Sequence, residues 1–299
     1  MATTTGAAHG QASWRVLTLS PTIAVYGLLT LLPVANLLFM SVHDIAWRAG
    51  AAEWTSVGLR HYASIPDDVL FRAGLANTTV FALFAVGFQM LLGFALALLS
   101  TRIDRGRTVY RAIFLLPILV PGIVIGAMWK LMYNFDFGVI NQLAGAVGLP
   151  VRDWLGSPEL ALAAVIVVDV WHWTPFVFLL LLAGLESLPQ DVYEAAKVDG
   201  ASAWQELVHV TLPLMLPTIV VTLVFRLIVA FKVFDEVYLL TGGGPGTATE
   251  VLSFTIYRRF FAEDRAGYGA AMSVVVLFFL ALAIVLAVAS LRRGEERAA

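Results

Sequence analysis

Asp169 and His172 lie three positions apart in the segment Asp169-Val170-Trp171-His172-Trp173, inside a long apolar stretch. On a helix this spacing brings both side chains to one face, where they could transfer a proton or bind a ligand. A metal ion would need further ligands, but Cys is absent and the other four histidines lie outside the apolar stretches. Three interpretations stay open: hydrogen bonds between packed helices, a proton relay, and a polar and aromatic lining that binds a sugar.

Arg226 is a charged residue inside another apolar stretch, and Lys232 and Asp235 follow near the end of that stretch. An arginine at the centre of a membrane helix costs about 2.5–3.5 kcal/mol on scales from insertion experiments. Its guanidinium therefore requires an acidic partner or a water-filled path. Two interpretations stay open here as well: a place on a solute pathway, and an Arg–acid pair between subunits.

The loop formed by residues 187–213, called the acidic loop below, carries the signals of a helix–turn–helix. Residues 190–198 are good helix formers, and Gly200 can adopt the positive φ that a turn requires. Ser202 is a plausible N-cap, and Gln205 three positions later completes a capping box that predicts a second helix. The sequence thus predicts two short helices joined by a glycine turn between two apolar stretches.

Charge favours a protein partner for the acidic loop. Helices that lie on lipid are usually rich in Lys and Arg, whereas this loop has one lysine and mostly acids. Small alanines allow another protein to approach closely, and exposed carboxylates can pair with its basic side chains. An amphipathic helix resting on lipid is the alternative. The residues predicted to dock the partner are Glu194, Ala195, Ala196, Asp199 and Gly200.

The elements that must position these side chains are membrane helices. Of 299 residues, 60% are hydrophobic and 13% are charged, whereas a soluble domain has roughly 25% charged residues. Six stretches reach the about 20 residues needed to cross a bilayer, and only helices satisfy their backbone groups there. The prediction is an all-α protein with a six-span domain over residues 17–291, between tails 1–16 and 292–299. The predicted spans are residues 17–42, 77–100, 110–133, 160–182, 212–233 and 269–291.

Arginines near the ends of the spans predict the orientation of the chain. Lys and Arg are enriched in cytoplasmic loops, so the basic loop after the second span and the basic tail after the sixth are expected in the cytoplasm, with both termini. The net charge of −2 gives no indication of nucleic-acid binding. The arginines concerned are Arg102, Arg105, Arg107 and Arg111, and in the tail Arg292, Arg293 and Arg297.

The glycine-rich segment Gly242-Gly243-Gly244-Pro245 does not have the features of a phosphate-binding loop. Such a loop needs a Lys followed by Ser or Thr after its last glycine, and this segment continues with Gly246-Thr247. A tight turn is therefore predicted, and no nucleotide site is expected in this chain.

The acidic loop resembles a known motif. Its pattern Glu194-Ala195-Ala196-x-x-x-Gly200, followed by Val210-x-Leu212-Pro213, is similar to the EAA motif of ATP-binding cassette (ABC) importer permeases, with Val210 where Ile is more usual. The stretch from Phe225-Arg226 to Thr241 and the following glycines resembles the fifth span and outer loop of carbohydrate permeases. That group includes maltose and glycerol-3-phosphate transporters, and the resemblance covers about residues 15–292.

The resemblance implies a type I permease fold and one half of a membrane pore that imports a sugar or polyol across a bacterial plasma membrane. It implies three kinds of partner: a second permease, homologous to this one, two ATPase subunits that receive the acidic loop, and an external solute-binding protein. This chain is then no enzyme and binds no cofactor, since ATP and Mg²⁺ belong to the ATPase. The pathway residues expected are Asp169, Trp171, His172, Trp173, Arg226, Phe231 and Asp235.

Three other functions remain as alternatives. An ion-driven carrier would couple charge through Asp169, His172 or Arg226, and a membrane enzyme would use the Asp169–His172 pair. Neither explains the acidic loop. Within the permease family, a glycerol-3-phosphate importer is the alternative to a sugar importer.

Overall fold

The computed structural model describes the backbone of residues 5–48, 50–101, 103 and 106–298, and the side chains of residues 18–46, 50–101, 103, 106, 109 and 111–286. The predicted all-α class is confirmed, because two short strands are the only β-structure in this part of the chain. The chain divides into two compact units, Met1–Ile65 with Ile256–Leu277 and Pro66–Thr255 with Phe278–Ala299.

The elements are numbered along the chain. They are α1 (Thr5–Ser41), β1 (His43–Arg48), β2 (Ala51–Ser56), α2 (Arg60–Ser64), α3 (Val69–Thr101), α4 (Arg107–Leu115), α5 (Gly122–Met132), α6 (Val139–Ala146), α7 (Pro158–Glu186), α8 (Gln190–Val198), α9 (Ala203–Glu206), α10 (Leu212–Ala230), α11 (Asp235–Leu240), α12 (Leu252–Tyr257) and α13 (Ala266–Ala298).

Five helical stretches of the described chain are long and apolar enough to cross a membrane, and a bent pair of helices adds a sixth. Each overlaps one of the six spans predicted from sequence. Helix α1 begins at Thr5, well before the predicted first span, so the tail 1–16 is partly helical. The membrane boundaries and the orientation of the termini stay predictions, and Arg102 and Arg105 lie outside the described residues. The five stretches are Thr18–Ser41, Val69–Thr101, Pro158–Glu186, Ala203–Leu240 and Ala266–Leu286.

The predicted third span is not one straight helix. Helix α4 ends in a 3₁₀ turn, Leu116–Leu119, and the two segments meet α5 at an angle of 97°. Pro121 precedes α5, and Val120 before it is extended, with φ −88° and ψ 128°. Proline disfavours the helical conformation in the residue that precedes it, which explains why the helix breaks at Val120.

The second unit is built around α7, which packs against α3 and α10. In the most apolar 18-residue segment of α7, 61% of the residues are buried, whereas in the corresponding segment of α1 none are. Glycines permit the close approach: a Cβ on Gly93 would lie 2.7 Å from a methyl of Val177, and one on Gly184 would lie 2.7 Å from Thr218. The apolar centre of this unit consists of Ala97, Val177, Phe178, Leu181, Leu182, Leu185 and Met215.

The first unit contains the departure from a purely helical fold. Strands β1 and β2 pair antiparallel as a hairpin directly after α1. His61 on α2 is buried and lies 3.1 Å from the carboxylate of Asp44 on β1. The Tyr62 hydroxyl donates to Ser41 at 2.7 Å, which ties α2 to the end of α1. The hairpin is thus held to the helices next to it by polar contacts.

Candidate functional site

Asp169, Gln89 and Arg226 form a buried triad in the second unit. Arg226 donates from Nη2 to Asp169 Oδ2 at 2.9 Å and from Nε to Gln89 Oε1 at 2.7 Å. Gln89 closes the triangle by donating to Asp169 Oδ2 at 2.7 Å and to the Asp169 carbonyl at 3.0 Å. The three residues come from α7, α3 and α10 and are 2%, 0% and 0% exposed. The buried cation is therefore paired with an acid of its own chain.

His172 has a different partner from Asp169, although the two residues share one face of α7. The His172 ring nitrogen Nδ1 lies 3.1 Å from Glu236 Oε1 on α11, and both side chains are buried. Two separate polar pairs thus replace the direct Asp169–His172 contact that a catalytic pair would need. No group of three or more His, Asp or Glu residues in the described chain could hold a metal ion.

A polar cavity of about 340 Å³ opens next to these pairs. Four predicted pathway residues line it: Asp169, His172, Trp173 and Asp235. The remaining lining comes from the start of α5, the end of α10, the segment that follows it and the start of α11, where a Cβ on Gly122 would lie 3.0 Å from Asp235 Oδ2. The other lining residues are Gly122, Val229, Lys232, Val233, Phe234 and Glu236.

The charged groups around the polar cavity are mostly acidic. Asp169, Asp235 and Glu236 contribute three carboxylates, and Lys232 is the lysine among the lining residues. Asp169 pairs with Arg226, and Glu236 pairs with the ring of His172, which leaves Asp235 and Lys232 with opposite charges. The cavity therefore offers both hydrogen-bond donors and acceptors to the hydroxyl groups of a solute.

The other three predicted pathway residues do not line the polar cavity. Arg226 lies behind it, with its guanidinium 4.6 Å from the centre of the Trp173 ring, a cation–π contact. Trp171 points to the opposite side of α7, where its ring meets Trp129 edge-on at 5.7 Å in an apolar groove. Phe231 follows the end of α10 and is half-buried outside the lining. Helical geometry explains why Trp171 faces away from the cavity, because it lies two positions from both Asp169 and Trp173, and residues at that spacing do not share a face.

Two residues that pair with predicted pathway residues, Gln89 and Glu236, were not themselves among them. Gln89 is a polar side chain in an apolar stretch, which is a weak signal by itself, and only its contact with Arg226 reveals its role. Glu236 adjoins Asp235, but it turns inward and is 6% exposed, whereas Asp235 is exposed. No sequence pattern distinguishes the two neighbouring acids, because α11 is only six residues long.

The acidic loop folds as the predicted helix–turn–helix. Helix α8 spans the predicted residues, and Gly200 adopts φ +78° in the turn that follows. Ser202 Oγ accepts a hydrogen bond from the Gln205 backbone N–H, and Gln205 Oε1 accepts one from the Ser202 backbone N–H, so the capping box is complete. A π-turn, Leu207–Thr211, then leads into α10. These contacts are local, which explains why the sequence specified them.

The surface of the acidic loop is open to a partner. Helix α8 has no buried residue, and Glu194, Ala195, Asp199 and Gly200 are exposed, while Ala196 is half-buried. The Tyr193 hydroxyl donates to Thr211 at 3.2 Å and holds α8 against the start of α10. The predicted docking residues therefore lie together on one accessible surface that is anchored to a membrane helix.

Apolar helices long enough to cross a bilayer, a polar cavity among them and an exposed acidic loop define a polytopic membrane protein of the transporter class. Residues 89–294 match the family described as binding-protein-dependent transport system inner membrane component. The chain belongs to this family, and the predicted membership in the ABC importer permeases is confirmed.

Curated relatives match nearly the whole chain. The trehalose/maltose transport system permease protein MalF of Thermococcus litoralis is 38% identical over 268 residues, which cover 89% of this chain and 90% of that protein. The sulfoquinovosyl glycerol transport system permease protein SmoG of Agrobacterium fabrum is 34% identical, covering 90% of this chain and 87% of its own length. The chain is thus similar to transport permease subunits along its length.

A solved structure supports the fold. This chain is similar to one in a bacterial alginate ABC transporter, solved in complex with an alginate pentasaccharide-bound periplasmic protein. The TM-score is 0.80 at 23% sequence identity, and the match covers 93% of each chain. At this identity the likeness concerns the fold alone.

Proposed function

We propose that this permease imports a sugar or polyol, as one half of a pore that an ATPase drives from the cytoplasm. The observation that carries the proposal is the exposed acidic loop, a rigid docking surface attached directly to a membrane helix. Movement of a partner bound at α8 would be passed to α10, which also holds Arg226 of the buried triad. The ion-driven carrier and the membrane enzyme offer no use for this loop.

Basic side chains of the ATPase are proposed to bind the carboxylates of the acidic loop. Glu194 and Asp199 supply exposed carboxylates. The small residues Ala195, Ala196 and Gly200 allow the ATPase to approach the backbone of the loop closely. ATP and Mg²⁺ would be bound by that partner. The ATPase side of the membrane is the cytoplasm, so the proposal places both termini there and the protein in the bacterial plasma membrane.

The solute is proposed to pass through the polar cavity. Hydroxyl groups can bind Asp235 and Glu236, and the face of Trp173 can pack against the C–H surface of a sugar ring. The names of the relatives support a carbohydrate, since trehalose, maltose and sulfoquinovosyl glycerol appear among them.

Two further partners complete the proposed importer. A second permease, homologous to this chain, would close the pore. An external solute-binding protein would deliver the sugar, as the periplasmic protein in the alginate transporter complex suggests by analogy.

Uptake by the complete importer tests the proposal. The chain is expressed with its second permease, ATPase and binding protein, reconstituted into proteoliposomes, and supplied with radiolabelled trehalose or maltose. Glu194→Lys is expected to abolish uptake and co-purification of the ATPase, with the free energy of unfolding changed by no more than about 0.5 kcal/mol because the residue is exposed. Asp136→Lys, which reverses an exposed charge outside the acidic loop, is the matched control. Normal uptake and ATPase binding in Glu194→Lys would contradict the proposal.

A further inference from the structure

One acid next to the acidic loop is paired with a distant helix. Arg111 on α4 donates from Nη2 to Glu186 Oε1 at 2.6 Å, and the two residues are 75 positions apart. The side chains are 23% and 39% exposed, so the pair lies at the surface and contributes little to stability. Glu186 is the last residue of α7, where the negative end of the helix dipole disfavours a carboxylate. The presence of an acid at position 186 is therefore not explained by stabilisation of α7.

The position of Glu186 connects the ion pair to α8. Only Ser187, Leu188 and Pro189 separate it from the first residue of that helix. The Ser187 hydroxyl donates to the Gly184 carbonyl at 2.7 Å, and Leu188 packs against the apolar centre of the second unit. The connection is three residues long and is held to the second unit by these contacts, so we expect a displacement of α8 to be passed to Glu186.

Arg111 connects the same ion pair to the broken third span. It lies on α4, before the 97° bend that separates α4 and its 3₁₀ turn from α5. One turn further along α4, the Phe114 ring lies 6.1 Å from that of Phe178 on α7. Helix α5 then provides Gly122 to the polar cavity. A continuous series of elements thus runs from the acidic loop to the cavity through the bend.

We propose that the Arg111–Glu186 ion pair is a positioning link, which passes the displacement of α8 to the first half of the broken third span. The inference rests on the proposed docking of the ATPase at α8. Neither residue touches the solute or the nucleotide. Without the link, the ATPase still binds and hydrolyses ATP, but less of its movement reaches the cavity, so less solute is transported per ATP.

A charge swap in the complete importer tests the link. Arg111→Glu, Glu186→Arg and the double variant are reconstituted with all partner subunits, and sugar uptake is measured per ATP hydrolysed. Each single variant is expected to lower this ratio by up to about fivefold, the factor that a surface ion pair can contribute. ATPase co-purification and thermal unfolding stay as in the wild type. The double variant restores the ion pair in reverse and is expected to recover most of the ratio.

Two controls make the outcome specific. The pair Arg259–Glu263, joined at 2.5 Å on another surface, is swapped in the same way and is expected to leave the ratio unchanged. Glu194→Lys, measured in parallel, reports on ATPase docking itself: if it retains the ATPase, the proposed function fails and not only the link. A wild-type ratio in both single variants, a double variant as impaired as they are, or an equal effect of the control swap would overturn the link.

Discussion

The acidic loop and the buried triad use similar residue types for opposite purposes. In the loop, Asp191, Glu194 and Asp199 are exposed, and the hydrogen bonds of the capping box join residues three positions apart. In the triad, the hydrogen bonds join side chains 57, 80 and 137 positions apart, and none of the three is more than 2% exposed. The loop exposes carboxylates to a partner, whereas the triad pairs its two charges within the chain and leaves Nη1 of Arg226 buried without a hydrogen bond.

The two regions differ in how well water solvates their charged groups. An exposed carboxylate is solvated, so reversing or removing it changes binding more than folding. A charge in the interior loses its hydration, and its partner must replace those interactions. Substitutions in the two regions should therefore differ in kind: those in the triad affect unfolding and uptake together, and those in the loop affect docking alone.

The largest effect is expected from Arg226→Ala, which leaves Asp169 as an uncompensated buried charge. Breaking a buried ion pair by removing one partner costs about 3–5 kcal/mol. We expect a strongly lowered unfolding temperature of the purified importer and no measurable uptake. Thermal unfolding followed by intrinsic fluorescence, with uptake into proteoliposomes, provides the measurement.

The matched control for Arg226→Ala removes both charges at once. The double variant Arg226→Met with Asp169→Asn leaves no unpaired ion, so it should recover most of the lost stability but not the uptake. If Arg226→Ala unfolds at the wild-type temperature, the charges of the triad are not buried as the structure has them, and the contrast with the loop disappears.

A smaller effect is expected from Gly200→Val, which alters the turn of the acidic loop. The φ of +78° at Gly200 costs a side chain with a Cβ about 1–2 kcal/mol. Because the loop is exposed, this strain should distort the docking surface and leave global unfolding unchanged. We expect ATPase affinity to fall about tenfold, as about 1.4 kcal/mol implies, measured by titration of the purified permease with the ATPase. Gly200→Asn, which tolerates positive φ, should retain the affinity; equal loss in both variants would rule out strain as the cause.

The smallest effect is expected from Ser202→Ala, which removes the N-cap of α9. Loss of such a cap costs about 1 kcal/mol, and here the cost falls on one turn of helix. Amide hydrogen exchange in α9 should become about fivefold faster, while the amides of α7 keep their protection. Ser202→Thr preserves the cap and should exchange like the wild type. Faster exchange in α7 as well would mean that the loop and the core unfold together, which would contradict the expectation that substitutions in the loop leave the core unaffected.

The sequence predicted more of the loop than of the cavity, because the loop is held by local contacts and the cavity by contacts between distant residues. Gly200, Ser202 and Gln205 interact with neighbours in the chain, so their spacing alone specified the turn and the cap. Asp169 and His172 were correctly placed on one face of a helix, but their partners Gln89 and Glu236 come from other helices. Pathway residues chosen by type included Trp171, which the helix turns to the apolar side.

By itself, the sequence determined the membrane class, the number of apolar stretches, the helix–turn–helix and the family, because hydrophobic length, capping and turn residues act over short distances. Tertiary structure alone decided that Arg226 pairs with Asp169 and Gln89, that Glu236 turns inward while Asp235 stays exposed, and that the third span bends by 97°. Helix packing brings distant side chains together, and a buried charge takes whichever partner that packing provides.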